Sequence, residues 1–193
     1  MNDADLEVVD GLTLSDEHRA SLRPGEAVPD EQGHVHHLPR FFLAVPSWPA
    51  AHAHRVAPHF KLSELMTVDC HESDLLLHTF PHYVPCAALL LARYLEDFRR
   101  EADAVVFVSA NGGYRSPAHR RNPRKSPHCW ATAADIYRVG DHFLNDEKSI
   151  AKYGEIAKSL GSQVFVKPYA EGDDHLHFDL GFIQVTPRAC SEA

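Results

Sequence analysis

The sequence predicts an α+β domain in which helices pack on one face of a mainly antiparallel central sheet. Helical patterns come first along the chain, and short apolar strand patterns dominate its second half. The chain has 193 residues, of which 44% are hydrophobic, so it is long enough to bury one sizeable core. We therefore expect one main domain with an extension.

Each element follows from the spacing of its apolar residues. Apolar positions three and four apart predict helices, and short runs of apolar, β-branched residues predict strands. Ser63 is a candidate N-cap, and Gly161 is a candidate C-terminal stop. In chain order we expect a strand at Phe41–Val45, a helix starting at Ser63, a helix from 85 to about 100, a strand at 104–109, a turn at 111–117, a strand at 131–139, a helix at 148–160, and strands at 163–166 and 175–185.

Residues 1–57 are expected to form an irregular N-terminal extension rather than a second core. They are rich in Pro, Asp, Glu and His, and they carry turn signals at residues 23–25 and 30–33. The apolar residues of this segment are too few for a core of its own. We expect it to wrap the domain formed by residues 58–193, or to cover part of its surface.

Composition and charge exclude several classes of partner. A formal net charge of -8 argues against a general nucleic-acid binder. No apolar run of 18 residues is present, so no membrane partner is expected, and the acidic N-terminus does not resemble a secretory signal. Four cysteines without such a signal are most simply reduced thiols, which predicts a cytoplasmic protein. The oligomeric state is not predicted.

Two short segments together suggest a metal site. His128 and Asp135 are seven positions apart, and His177 follows 42 positions after Asp135. Two imidazoles and one carboxylate suit a zinc ion that keeps a fourth position open for water. The acid three positions before His177, Asp174, is the kind of group that could take a proton from that water. The same ligands also accept manganese or iron.

The predicted C-terminal strand arranges further side chains around this site. Alternate residues of a strand share a face, so His175, His177 and Asp179 should point the same way. Asp174 has the opposite parity and must reach the site from the loop before the strand. We expect Asp179 to hold His177 in one tautomer, and both Asp179 and His175 to stand just outside the metal ligands.

At these residues the chain resembles the zinc D-Ala-D-Ala carboxypeptidases and dipeptidases, peptidoglycan metallopeptidases that share a metal fold with hedgehog domains. The resemblance covers about residues 58–185 and implies a hedgehog-like zinc peptidase fold. The family pattern is Ser-x-His-x-x-Gly-x-Ala-x-Asp, followed by Asp or Glu-x-x-His, with a preceding Tyr-Arg-Ser turn. Its counterparts here are Ser126, His128, Ala133, Asp135, Asp174, His177 and, in the turn, Arg115.

The resemblance implies a role for each of these positions. His128, Asp135 and His177 would hold one zinc ion. Asp174 would be the general base and later the acid that protonates the leaving amine. Arg115 would steady the scissile carbonyl or a substrate carboxylate as negative charge develops. The implied reaction is hydrolysis of a short peptide or amide, as in a D-Ala-D-Ala carboxypeptidase.

Some assignments stay open at the level of sequence. Ser126 would contact the substrate, or it is only a turn residue before Pro127. The family glycine is Ala131 here, which costs about 1–2 kcal/mol if that position needs a positive φ. Two other functions remain: a zinc enzyme that makes or tailors a small metabolite, and a non-catalytic zinc-binding domain. Asp174 and Arg115 argue against the latter, because a structural site needs neither.

Two further groups of residues have a functional and an ordinary interpretation. A basic stretch next to the first ligand would attract an anionic substrate, or it is a solvated loop. The histidines in and directly after the extension would form a second metal site, or they are ordinary surface and packing residues. The basic residues are Arg115, His119, Arg120, Arg121, Arg124 and Lys125; the histidines are His34, His36, His37, His52, His54 and His59.

Overall fold

The computed structural model describes residues 6–30, 32–121 and 126–188, and within them the chain is an α+β structure built on antiparallel sheets. Short 3-10 helices lie at Gly11–Thr13, Leu62–Leu65 and Pro127–Trp130. The helices are α1 (Asp16–Leu22), α2 (Trp48–Ala53), α3 (Asp74–His78), α4 (Ala88–Ala102) and α5 (Glu147–Ser159). The strands are β1 (Val8–Asp10), β2 (Ala27–Pro29), β3 (Val35–His37), β4 (Phe41–Val45), β5 (Arg55–Ala57), β6 (Phe60–Lys61), β7 (His82–Pro85), β8 (Val106–Val108), β9 (Ala133–Val139), β10 (His142–Phe143), β11 (Phe165–Val166) and β12 (Leu176–Asp179).

The larger sheet has five strands and is antiparallel throughout. Strand β9 pairs with β8, β10 and β12, and β12 also pairs with β11. Residues 133–136 of β9 lie opposite Leu176–Asp179 of β12. The predicted α+β class with antiparallel strands is confirmed at this level.

The two faces of this sheet differ in polarity. Ile136 of β9 and Phe178 of β12 are buried in the main core, where α4 and α5 pack on the sheet. The ring of Phe178 lies 6.1 Å from that of Phe98 in α4, centroid to centroid. Because side chains alternate along a strand, Asp135 and His177 point to the other face. The core side therefore leaves the opposite side of the sheet free for polar groups.

The N-terminal segment is more regular than the sequence predicts. The predicted strand Phe41–Val45 is confirmed as β4, and it lies between β1 and β7 in a three-stranded sheet. Helices α1 and α2 start at the serine caps Ser15 and Ser47. They have only seven and six residues, which is too short for a recognisable helical spacing of apolar residues, so the sequence does not predict them. Leu22 shares one core with Leu91 of α4. Leu22 of this segment therefore packs into the core that α4 also forms.

The two long helices match their predictions closely, whereas the C-terminal strands are shorter than predicted. Helices α4 and α5 begin and end within three residues of the predicted limits. Strand β12 stops at Asp179, whose Oδ1 accepts a hydrogen bond from the N–H of Gly181 at φ 74°. This turn ends the predicted 175–185 strand early. Among the described residues, no helix combines the length and apolar character needed to cross a membrane.

The predicted helix start at Ser63 is wrong. Ser63 lies inside the 3-10 helix Leu62–Leu65, and it is the preceding Lys61 that stands at the N-cap position. The backbone N–H of Lys61 donates to Glu64 Oε1 at 2.9 Å. The Glu64 side chain thus caps the N-terminus of this 3-10 helix, which ends at Leu65.

Ala131 occupies a backbone conformation that favours glycine. It follows the 3-10 helix Pro127–Trp130 with φ 56° and ψ 35°, and its side chain is fully buried. An L-residue with a side chain pays about 1–2 kcal/mol in this left-handed region, and glycine does not. The energetic cost that we predicted for Ala131 if its φ is positive therefore applies.

We expect Ala131→Gly to change the free energy of unfolding by less than about 1 kcal/mol, because relief of the left-handed strain offsets the lost methyl burial. The control is Ala157→Gly, in the fully buried interior of α5. There no strain is relieved, and we expect a loss of about 1.5–2 kcal/mol. Urea denaturation of both variants measures the difference. Equal losses would mean that position 131 does not need the left-handed conformation.

Candidate metal centre

Asp135 and His177 meet because they are direct cross-strand partners. The register of β9 and β12 places them opposite each other, and His177 Nδ1 lies 2.7 Å from Asp135 Oδ1. Cross-strand neighbours in an antiparallel pair have side chains within reach of each other by geometry alone. Two of the three predicted metal ligands are therefore brought together by the sheet itself.

His128 is presented by the 3-10 helix that precedes β9. Ser126 stands at its N-cap, and Ser126 Oγ accepts a hydrogen bond of 3.4 Å from the His128 N–H. His128 Nδ1–H donates to the carbonyl oxygen of Gly113 at 2.7 Å. The buried Nε2 lies 3.3 Å from Asp135 Oδ1, and no hydrogen bond satisfies it among the described residues. Burial lowers the pKa of His128, and the neighbouring Asp135 carboxylate opposes this shift.

Two glycines, Gly112 and Gly113, allow the turn at 111–117 to pack closely against the backbone of Asp135 and Leu65. A Cβ added to Gly112 would lie 2.6 Å from the backbone oxygen of Asp135, and one added to Gly113 would lie 2.4 Å from that of Leu65. Only glycine tolerates such contacts. The N–H of Asp135 donates to Gly112 O at 2.8 Å, which ties the turn to β9. The carbonyl that holds His128 is thereby fixed to the strand that carries Asp135.

His128, Asp135 and His177 together form a group that could hold a metal ion. One ligand atom from each residue lies within 4.8 Å of the other two, and the group is largely buried. The outer nitrogen of each histidine already has an acceptor: Gly113 O for His128, and Asp179 Oδ2, at 3.0 Å, for His177. Such outer partners orient histidine ligands in metal sites. The donor set and its surroundings fit a divalent ion.

The charges in this group are strongly coupled. Burial alone would raise the pKa of Asp135, but the neighbouring His128 and His177 outweigh it and hold that pKa far below its usual range. Burial would lower the pKa of His177, but its hydrogen bonds to Asp135 and Asp179 outweigh this and raise it to about 9. Asp135 is therefore an anion at every ordinary pH, and without a metal His177 balances its charge.

The group opens on a cleft of about 580 Å³. Of the other predicted site residues, Arg115, Ser126, His175 and Asp179 line it, whereas Asp174 does not. Pro127, next to the first predicted ligand, also lines the cleft, as do five residues from the extension and from around the C-terminal strands that the sequence does not indicate. These five residues are Asp30, Gln32, Phe165, Lys167 and Phe182.

The missed residues carry few local signals. Phe165 and Lys167 reach the cleft because β11 pairs with β12, with the Lys167 N–H donating to His177 O at 3.1 Å. Only this pairing places them beside a metal ligand, and spacing within one segment cannot show it. Lys167 Nζ also contacts Asp173 Oδ1 at 2.8 Å.

Arg115 brings a buried positive charge to the cleft. Its side chain is 13% exposed, and its Nη2 lies 3.6 Å from Asp135 Oδ2. Burial lowers the pKa of Arg115, yet a guanidinium keeps its proton at neutral pH. Arg115 also connects to the first ligand through its backbone, whose N–H donates to His128 O at 3.2 Å. The structure thus gathers Arg115 with the predicted ligands.

Asp174 reaches the site through its neighbour. Its carboxylate is 85% exposed, and its Oδ1 lies 2.7 Å from Nδ1 of His175. The other nitrogen of His175, Nε2, lies 3.5 Å from Asp135 Oδ1. The expectation that Asp174 comes from the loop before β12 agrees with this position, since the strand begins at Leu176. Its role as general base stays a prediction.

The remaining predicted groups have ordinary surroundings. His34 Nδ1 and His36 Nε2 both contact Asp30 Oδ2, at 3.2 and 3.0 Å, and His59 contacts Glu96. Within the described ranges, the histidines of the extension belong to none of the groups that could hold a metal ion. In the basic stretch, Arg124 and Lys125 lie outside the described residues.

Comparisons of this chain with protein-family models, with curated proteins and with solved structures found no match.

The raised pKa of His177 predicts that the metal-free protein loses stability as the pH rises. The unfolded value is about 6.5 and the folded value about 9, so the contribution is complete below pH 6.5 and disappears as the pH rises through 9. Its size is roughly 3 kcal/mol. We expect the stability difference between the wild type and His177→Gln, measured by urea unfolding with a chelator present, to shrink between pH 6 and pH 10. A difference that does not change with pH would contradict the assigned charge.

Proposed function

We propose that this protein is a zinc-dependent hydrolase of a short peptide or another small amide, with a hedgehog-like zinc peptidase fold. One observation supports it above all: His128, Asp135 and His177 converge on a cleft that is also lined by a buried cation, Arg115, and by the imidazole of His175, which is paired with Asp174 at its edge. Structural zinc sites are usually closed by four protein ligands. A group of three that faces a cleft favours catalysis.

The residues present would hold the ion through one nitrogen of each histidine. His128 would use Nε2, because its Nδ1–H is held by Gly113 O. His177 would use Nδ1, so that Nε2–H can donate to Asp179. Asp135 would contribute its carboxylate. When bound, zinc supplies a Lewis acid that polarises a carbonyl and makes water a nucleophile at neutral pH.

Arg115 would orient the substrate and balance the negative charge that develops on the scissile carbonyl oxygen. Its guanidinium is largely buried. A positive charge that is shielded from water stabilises a developing negative charge more strongly than one on the surface does. Lys167 also lines the cleft. Carboxylates line the cleft as well, so it is Arg115 together with a bound divalent ion that would favour a substrate with a free carboxylate.

Asp174 and His175 would handle the proton as a pair. His175 lines the cleft, and Asp174 accepts a hydrogen bond from its Nδ1–H. In this arrangement His175 Nε2 takes the proton from the attacking water, and Asp174 stabilises the resulting imidazolium. The same pair can later return the proton to the leaving amine. The predicted role of Asp174 would then be exerted through His175.

A second candidate keeps the zinc and changes the substrate. Phe165 and Phe182 on the cleft wall are not needed for a ligand as small and polar as D-Ala-D-Ala. They favour the alternative in which the enzyme makes or tailors a small metabolite. A substrate panel separates the two: cleavage of D-Ala-terminated peptides supports the peptidase, and failure on all of them with intact zinc supports the alternative.

We expect purified wild-type protein to hold one equivalent of zinc more than either His128→Ala or Asp135→Ala, as measured by elemental mass spectrometry. Ser126→Ala is the matched control, because Ser126 lines the cleft without belonging to the ligand group. It should keep that equivalent. Equal zinc in all four proteins, after zinc has been supplied to each, would show that the ligand assignment is wrong.

For any substrate that the panel identifies, Asp174→Ala and His175→Gln should each lower kcat by about 10²–10⁴-fold. The double variant should lose little more than the worse single variant, because the two residues act as a unit. The metal content should stay unchanged in all three. Glu171→Ala, which removes another exposed acid of the same loop, is the control. Full activity of Asp174→Ala would exclude Asp174 from the reaction.

A further inference from the structure

A second group of metal-ligand side chains lies away from the cleft, on the loop between the 3-10 helix Leu62–Leu65 and α3. Asp69, Cys70 and His71 are consecutive, and one ligand atom from each lies within 4.8 Å of the others. Cys70 Sγ is 3.9 Å from His71 Nδ1, and the same nitrogen is in direct contact with Asp69 Oδ1. None of the three lines the cleft.

We propose that Asp69, Cys70 and His71 form a second metal site, which binds one thiophilic divalent cation of the zinc class. A thiolate, an imidazole and a carboxylate form a donor set that suits zinc, whereas calcium and magnesium take oxygen ligands. The fourth position is open to water, because Cys70 is exposed.

The backbone of this loop is fixed at the ligand residues themselves. The Arg120 N–H donates to His71 O at 2.9 Å, and Arg120 Nη2 donates to Cys70 O at 3.1 Å. Two consecutive carbonyl groups are thus held by one residue from the turn that follows Arg115. The backbone that carries Cys70 and His71 is therefore held in place, and a metal need not order a free loop.

The carboxylate of Asp69 is oriented in the same way. Its Oδ2 accepts a hydrogen bond of 2.9 Å from Asn111 Nδ2, which leaves Oδ1 toward His71. Partners of this kind are what orient carboxylate ligands in metal sites. Asn111 also begins the turn that carries Arg115, so a cation here would fasten the loop to that turn.

Little movement is needed for coordination. Bonds of about 2.0–2.3 Å in a tetrahedral site separate the ligand atoms by roughly 3.3–3.8 Å. Cys70 Sγ and His71 Nδ1 are already close to that separation. Asp69 Oδ1 and His71 Nδ1 must move apart, exchanging their hydrogen bond for two bonds to the ion. The thiol loses its proton as the ion binds, and the imidazole binds as the neutral tautomer that carries its proton on Nε2.

The thiolate gives this site a signature that the His128 group lacks. Cobalt bound to a thiolate shows a near-ultraviolet charge-transfer band, and a site of two histidines and one aspartate does not. We therefore titrate metal-stripped, fully reduced full-length protein with Co²⁺. The band should grow to a plateau at one thiolate-bound cobalt per chain. Cys70→Ser should abolish it, and His71→Gln should weaken the binding at least tenfold.

Two controls separate this proposal from the proposed function. His128→Ala should keep the band, because it changes only the other group. Cys129→Ala should also keep it, because Cys129 is buried next to His128. No band in the wild type, or a band that survives in Cys70→Ser, would overturn the second site. A wild-type band together with unchanged zinc content in His128→Ala would leave the second site standing and overturn the first.

Discussion

Asp135 and His177 stand opposite each other on β9 and β12, and every other feature of the metal group is arranged around their hydrogen bond. The pairing is specified from the far side of the sheet. Ile136 and Phe178 alternate with the two ligands and are fully buried in the core. A slip of one residue would send a carboxylate or an imidazole into that core, so the packing of apolar side chains also determines the ligand geometry.

The histidine ligands owe their orientation to groups that the sequence motif does not contain. Gly113 O and Asp179 Oδ2 hold the outer nitrogens of His128 and His177. Asp179 is recognisable from strand parity, because it lies two positions after His177. Gly113 is not, because its contact depends on a glycine turn packed against β9. The inner atoms are thereby left for an ion, and Asp135 supplies the charge that would retain it.

The sequence predicts the three ligand residues, the α+β class and the two long helices because each has a signal within one segment. It does not predict the pairing of β11 with β12, which brings Phe165 and Lys167 to the cleft. The sequence also does not predict that Asp30 lines the cleft, because its turn reaches the cleft from a distant part of the chain. The alternation of side chains along the strand predicts that Asp174 lies off the face of His177. It does not predict that His175 contacts both Asp174 and Asp135 and so connects the two acids. Membership of a peptidase family stays a prediction.

The order of strands along the chain bears on how the protein emerges from a ribosome. Residues 133–136 of β9 are synthesised some forty positions before Leu176–Asp179, the segment that will pair with them. Until then this apolar strand has an unpaired edge on that side, which is the kind of surface that associates with other chains. A nascent or truncated polypeptide that stops before β12 would lack both His177 of the candidate metal group and the cover of that edge. Loss of β12 would thus favour aggregation and also break up the candidate metal group.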